Sequence, residues 1–136
     1  MNTYQTDQSQ EGILLTASIS ATGPVYTRAI ILKVDEPAQP GIKVADSQPM
    51  DHTGKIKKAL IGTGPKLKGF RLGVISQVGV IGSNKQERLE NAKHAAGDYL
   101  LQTGDNNKVS YNNPVITVTE NGDDVYVFIV FTVDLV

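Results

Sequence analysis

Apolar and polar residues alternate from Ile13 to Ser20, with Ile13, Leu15, Ala17 and Ile19 on one side and Leu14, Thr16, Ser18 and Ser20 on the other. A repeat of two predicts a half-buried strand. After Ala21-Thr22-Gly23-Pro24, which carries turn chemistry, the β-branched run VYTRAIILKV (25–34) predicts a second strand. The two are expected to form an antiparallel hairpin. Upstream, residues 1–11 show no periodicity and few large apolar groups, and are expected to be a flexible N-terminal tail ahead of a single domain over 12–136.

Residues 35–54 contain Pro37, Pro40, Gly41, Pro49 and Gly54 and read as a long connection with room for one short strand at 42–45. A strand is expected over 56–61, followed by the Gly-rich basic loop Gly62-Thr63-Gly64-Pro65-Lys66. The run FRLGVISQVGVI (70–81) then predicts a long strand. One of its faces is Phe70, Leu72, Val74, Ser76, Val78 and Val80. The other is Arg71, Gly73, Ile75, Gln77, Gly79 and Ile81, where the two glycines would admit a close neighbour or a bulge.

The pattern changes at about residue 84. Leu89, Ala92, Ala96, Tyr99 and Leu100 recur near a spacing of 3.6 and predict an amphipathic helix over about 84–103. Ser83 with Gln86, or Asn84 with Glu87, supplies an N-terminal cap, and Gly104 stands where a left-handed C-terminal cap is expected. Gly97 inside that span would cost a helix about 1 kcal/mol against Ala, which implies a packing reason for it.

Beyond a short strand expected at 109–111, VITVTE and DDVYVFIVFTV flank Asn121-Gly122, a pair favoured in two-residue hairpin turns. With these two residues as the loop, Glu120 would face Asp123. In the last strand Val125, Val127, Ile129, Phe131, Val133 and Leu135 share one face, and Tyr126, Phe128 and Val130 make the other apolar too. A strand apolar on both sides is either covered on both faces or lies at an oligomer interface. The predicted class is α+β: a mostly antiparallel sheet or sandwich of five to seven strands, one amphipathic helix packed on it, and a C-terminal β-hairpin.

Composition narrows the chemistry. The 136 residues are 40% hydrophobic and 20% charged, ordinary for one globular domain. The absence of cysteine excludes disulfides, thiolate metal sites and a cysteine nucleophile. The polar start lacks the basic and apolar regions of a signal peptide, and no apolar run is long enough for a membrane helix. A cytoplasmic protein is expected, or one exported without a classical signal, with no membrane partner.

The net charge of −1 conceals an asymmetry. Between His52 and Gln86 stand Lys55, Lys57, Lys58, Lys66, Lys68, Arg71 and Lys85 and no acid, while the remaining segments sum to −8. Such a basic middle could serve a partner or the next copy of the chain. Nucleic acid is disfavoured, because the chain as a whole is acidic and only Phe70 interleaves those cations.

The most suggestive chemistry is an anion site built from Gly62, Thr63, Gly64, Lys66, Lys68 and Arg71, where backbone N–H groups and cations could hold a phosphate or carboxylate. The spacing is not that of a P-loop, since Pro65 follows the second glycine and a strand follows the loop. His94, four residues after Glu90, and Tyr99 are the groups a helix–sheet cleft would bring into reach of a substrate. Two scattered histidines imply no metal site, and neither a catalytic spacing nor a cofactor motif is present.

The profile therefore points to a non-catalytic structural or interaction protein that associates with itself or with another protein. Small subunits of phage-like or secretion-type assemblies share that profile by analogy. The alternatives are a small-molecule or anion-binding domain using 62–71, and a small enzyme with a helix–sheet cleft.

Overall fold

Two β-sheets face each other across a shared apolar core in the computed structural model, which describes residues 1–136. The strands are β1 (Thr3–Tyr4), β2 (Gly12–Ser20), β3 (Val25–Lys33), β4 (Ile42–Asp46), β5 (Ile56–Thr63), β6 (Phe70–Gly79), β7 (Ala96–Thr103), β8 (Asn106–Tyr111), β9 (Val115–Asn121) and β10 (Asp124–Leu135). Two short helices, α1 (Gly64–Leu67) and α2 (Lys85–Ala92), interrupt them. The first sheet runs β1-β10-β6-β3-β4, with β9 also paired to β10, and the second runs β5-β2-β7-β8. All pairings are antiparallel except β1 with β10. The chain is thus a mostly-β sandwich with ten strands, more than the five to seven expected, and no helix is long and apolar enough to cross a membrane.

Alternation places the core. The inward residues of β10, Val125 through Leu135 in steps of two, are all essentially inaccessible, as are Leu72, Val74 and Val78 of β6 and Ile13, Leu15 and Ala17 of β2. In 70–81 and in the last strand they make up one of the two faces that alternation separates. Each Val, Leu, Ile or Phe among them contributes about 1.5–3 kcal/mol by leaving water. One cluster lies between the sheets. A second, built on Val78, Val125, Val127 and Ile129, lies under Ala92 and Leu89 of α2.

Several expectations are corrected. The predicted helix over 84–103 is instead α2, which ends at Ala92, and a strand, β7. Asn84 does cap α2, its side chain accepting from Glu87 N at 2.9 Å. The N–H groups of Lys93, His94 and Ala95 then reach back only three residues, and the chain leaves the helix. From there Gly97, Tyr99, Leu101 and Thr103 alternate inward, and all eight residues of β7 find partners on β2. A repeat of two had coexisted with the repeat of 3.6, and pairing with two neighbours decides for the strand. Gly104 caps no helix. It takes φ +56° in the tight β7–β8 turn.

β2 and β3 do not pair as a hairpin. They belong to different sheets, and Ala21–Pro24 is a corner whose Thr22 and Pro24 carbonyls accept from Ile81 N and Gly79 N. A Cβ on Gly23 would collide with the Gly79 carbonyl, so the corner closes only around glycine.

The first residues are not a loose tail. β1 runs parallel to the end of β10, Tyr4 is fully buried, and its hydroxyl bonds Thr103 Oγ1 at 2.7 Å and Asn107 O at 2.8 Å. Thr6 N donates to Val136 O at 2.8 Å. One large aromatic in an otherwise polar segment anchors it.

The C-terminal hairpin turns one residue later than expected. Asn121 pairs with Asp124 and Glu120 with Val125, so Gly122 and Asp123 form the loop, with Gly122 at φ +62° in its first position.

Candidate interaction surface

A sandwich has sheet edges, and each edge strand carries unpaired backbone groups that invite a further strand unless something blocks it. Three of the edges carry such devices. β4 is five residues long, has an irregular register with β3 and bears Lys43. β5 has two register shifts against β2 and bears Lys57 and Lys58, the latter at φ +46°. β8 has a shift against β7, Asn107 at φ +51° and Lys108.

β9 has none of them. Its seven residues, Val-Ile-Thr-Val-Thr-Glu-Asn, include no lysine, proline or glycine, pair with β10 in unbroken register, and are all exposed. Neither face of β9 is buried, and the apolar side chains of α2 pack on β10. Val115, Ile116 and Val118 are 68%, 41% and 45% exposed.

The register extends this edge into a broader face. On the side of the first sheet turned away from the core, Val115, Val130 and Ile75 stand in one row, and Thr117, Phe128, Gln77 and Tyr26 in the next. The outer side of β10 is therefore only half-buried, which resolves the ambiguity of its doubly apolar pattern: it is central in its sheet but covered on one face. Gly73 and Gly79 lie on this outer face without a close neighbour, a Cβ at either meeting nothing nearer than 3.6 Å.

The hairpin carrying β9 is braced from α2. Lys85 Nζ lies 2.8 Å from Glu120 Oε1, and Arg88 Nη1 donates to Asp123 O at 2.8 Å. Hydrogen bonding to Glu120, with its charge, holds Lys85 above the ordinary lysine pKa. At the far end of the sheet Arg71 is bidentate to Asp134, at 2.6 and 3.2 Å. Two of the seven cations of the basic middle thus meet acids of the C-terminal flank within the same chain.

The six residues of the expected anion site lie along β5, α1 and β6. Gly62 packs on Leu67, and Gly64 lies against the backbone of Asp7. Thr63 precedes the single turn of α1, its Oγ1 buried without a partner, while Lys66 and Lys68 are exposed and Arg71 is held by Asp134. Lys68 lines a shallow cavity of about 400 Å³ with Lys33, Asp35 and Phe70. His94 is exposed beyond the end of α2, and Tyr99 is packed inside the sandwich, so the two do not meet in a cleft.

The largest depression, about 470 Å³, is an open groove on the outer face of the second sheet between Thr16, Ser18, Asp98 and Ser110. No three metal-ligating side chains come together.

The β9 edge was only partly legible beforehand. The doubly apolar last strand allows either cover on both faces or an interface, and which strand is left unpaired depends on sheet order, which periodicity does not carry. No protein-family model, curated protein or solved structure matches the chain.

Proposed function

We propose that the protein is a non-catalytic assembly subunit that joins further protein through the β9 edge and the adjoining outer face of its first sheet. The observation that carries this reading is the contrast among edges: one strand is regular in register, β-branched and exposed at all seven residues, and the others are short or bulged and carry lysine. An edge of that kind adds strands readily, the main chain supplying hydrogen bonds and alternate side chains supplying selectivity. Val115, Phe128 and Val130 offer apolar area beside the seam.

Light scattering over a range of concentrations tests the reading. The expected result is a mass above that of one chain, and a monomer for Val118→Lys with unchanged circular dichroism. A wild-type monomer at every concentration would overturn it.

A further inference from the structure

We infer that the occupant of the β9 edge is β9 of a second copy, paired antiparallel about a two-fold axis at Val118, so that the two six-stranded sheets become one. This rests on the assembly reading above and adds to it the partner, the symmetry and the register.

Backbone direction comes first. Val80 N donates to Val125 O, so the polar groups of Val125 face β6 rather than β9. Groups alternate along an antiparallel pair. Glu120, Val118 and Ile116, which stand opposite Val125, Val127 and Ile129, therefore aim their N–H and C=O groups away from β10. A second β9 must bring its own Ile116, Val118 and Glu120 to meet them.

Register follows. With the axis at Val118, Val115 meets the partner's Asn121, Ile116 meets the partner's Glu120, and Val118 meets the partner's Val118. All seven residues overlap, and every outward group finds a partner. Moving the axis to Thr117 sets Glu120 against the partner's Pro114, which has no N–H to give. An axis at Thr119 sets Ile116 against the partner's Gly122, which lies in the turn. An axis at Glu120 puts like charges directly opposite, which is unfavourable.

Charge and side-chain pairing agree with the Val118 axis. Thr117 faces the partner's Thr119, a favourable cross-strand pair. Glu120 is already neutralised by Lys85 of its own chain, so no lone charge enters the seam.

The absence of cysteine makes the register directly readable, because each introduced thiol is the only one. Ile116→Cys, Thr117→Cys, Val118→Cys, Thr119→Cys and Glu120→Cys are made singly, oxidised with diamide, and scored for covalent dimer beside light scattering of the unmodified protein. Only the residue on the axis has its Cα within about 4.4–6.8 Å of its own counterpart. The expected result is efficient cross-linking of Val118→Cys and little of the other four. A maximum at another position overturns the inferred register. A non-covalent dimer that cross-links at none of the five overturns pairing through β9 while leaving self-assembly standing. A monomeric unmodified protein removes the assembly reading itself, and this inference with it.

Discussion

Tyr99 of the second sheet lies flat on Phe131 of the first, ring centroids 4.3 Å apart and planes 8° from parallel. Tyr111 adds a tilted contact to the same ring at 5.1 Å. Phe131 is therefore the side chain on which the two sheets meet. Phe131→Ala is expected to cost about 3–5 kcal/mol, the upper range for a core truncation, because neither sheet can move in to fill the space while its strands stay paired. Urea unfolding followed by circular dichroism measures this. A cost below about 1 kcal/mol would mean that the stacked pair does not hold the sandwich together.

The Tyr99 hydroxyl points back at Gly97, where an added Cβ would collide with it, and it has no hydrogen-bond partner. Gly97→Ala is expected to lose about 1–3 kcal/mol through overpacking, although alanine is ordinarily no worse than glycine in a strand. Tyr99→Phe removes a buried, unpaired oxygen and is expected to be near neutral. In the double variant the Gly97→Ala penalty should shrink by about 1 kcal/mol. Urea midpoints of the four proteins close the cycle, and strict additivity would show that the hydroxyl is not what excludes a side chain at 97.

That same pair explains why the segment after α2 carries a helical pattern and yet forms a strand. In a helix Gly97 is a costly residue that implies a packing reason. The packing reason is real, but it belongs to a strand. Leu89, Ala92, Ala96, Tyr99 and Leu100 satisfy a helical stripe, while Gly97, Tyr99, Leu101 and Thr103 satisfy alternation, and only the availability of β2 and β8 as neighbours separates them. Elements whose pattern fits one period, such as β6 and β10, are legible as strands with two separated faces, while the face that is buried follows from the sheet order. Pairing between distant segments was not: β2 and β3 are adjacent in sequence with turn residues between them, yet the Gly23 corner sends them to different sheets. The β9 edge shares that dependence on strand order, whereas its β-branched composition was visible from the start.

Tyr4 is expected to anchor the N-terminal segment. Tyr4→Phe keeps the packing and strands the buried Thr103 hydroxyl, for a cost of about 1–3 kcal/mol. Tyr4→Ala also empties a fully buried site and should cost more, about 3–5 kcal/mol. Hydrogen exchange checks the mechanism: in Tyr4→Ala the Thr6 amide, which donates to Val136 O, should lose its protection. Retained protection would place the anchor elsewhere.

Thr27 and Ser76 form a buried polar pair between β3 and β6, Oγ1 to Oγ at 2.6 Å, with Ser47 Oγ accepting from Thr27 N at 2.9 Å. Removing one hydroxyl leaves the other unsatisfied, so Thr27→Val is expected to cost about 1–3 kcal/mol. Thr27→Val with Ser76→Ala should cost no more than Thr27→Val alone, since both partners are then apolar. Thermal unfolding of the three variants tests this. A double variant as costly as the sum of the singles would show that the hydroxyls contribute independently of each other.

Stability is expected to fall in alkali because of buried tyrosines. Burial raises Tyr4 and Tyr99 above the ordinary value of 10.0 and pushes Tyr111 up to about 12. Below the unfolded value these hydroxyls are protonated in both states, and their contribution to folding is complete. Between about 10 and 12 the unfolded chain releases the Tyr111 proton while the folded chain keeps it, so unfolding is drawn forward and stability is lost as pH rises through that window. The urea midpoint should therefore decline across this interval. Tyr111→Phe gives up the hydrogen bond to Thr3 O but has no proton to lose, so its decline should be shallower than that of the wild type. Equal slopes for the two proteins would assign the alkaline loss to other groups.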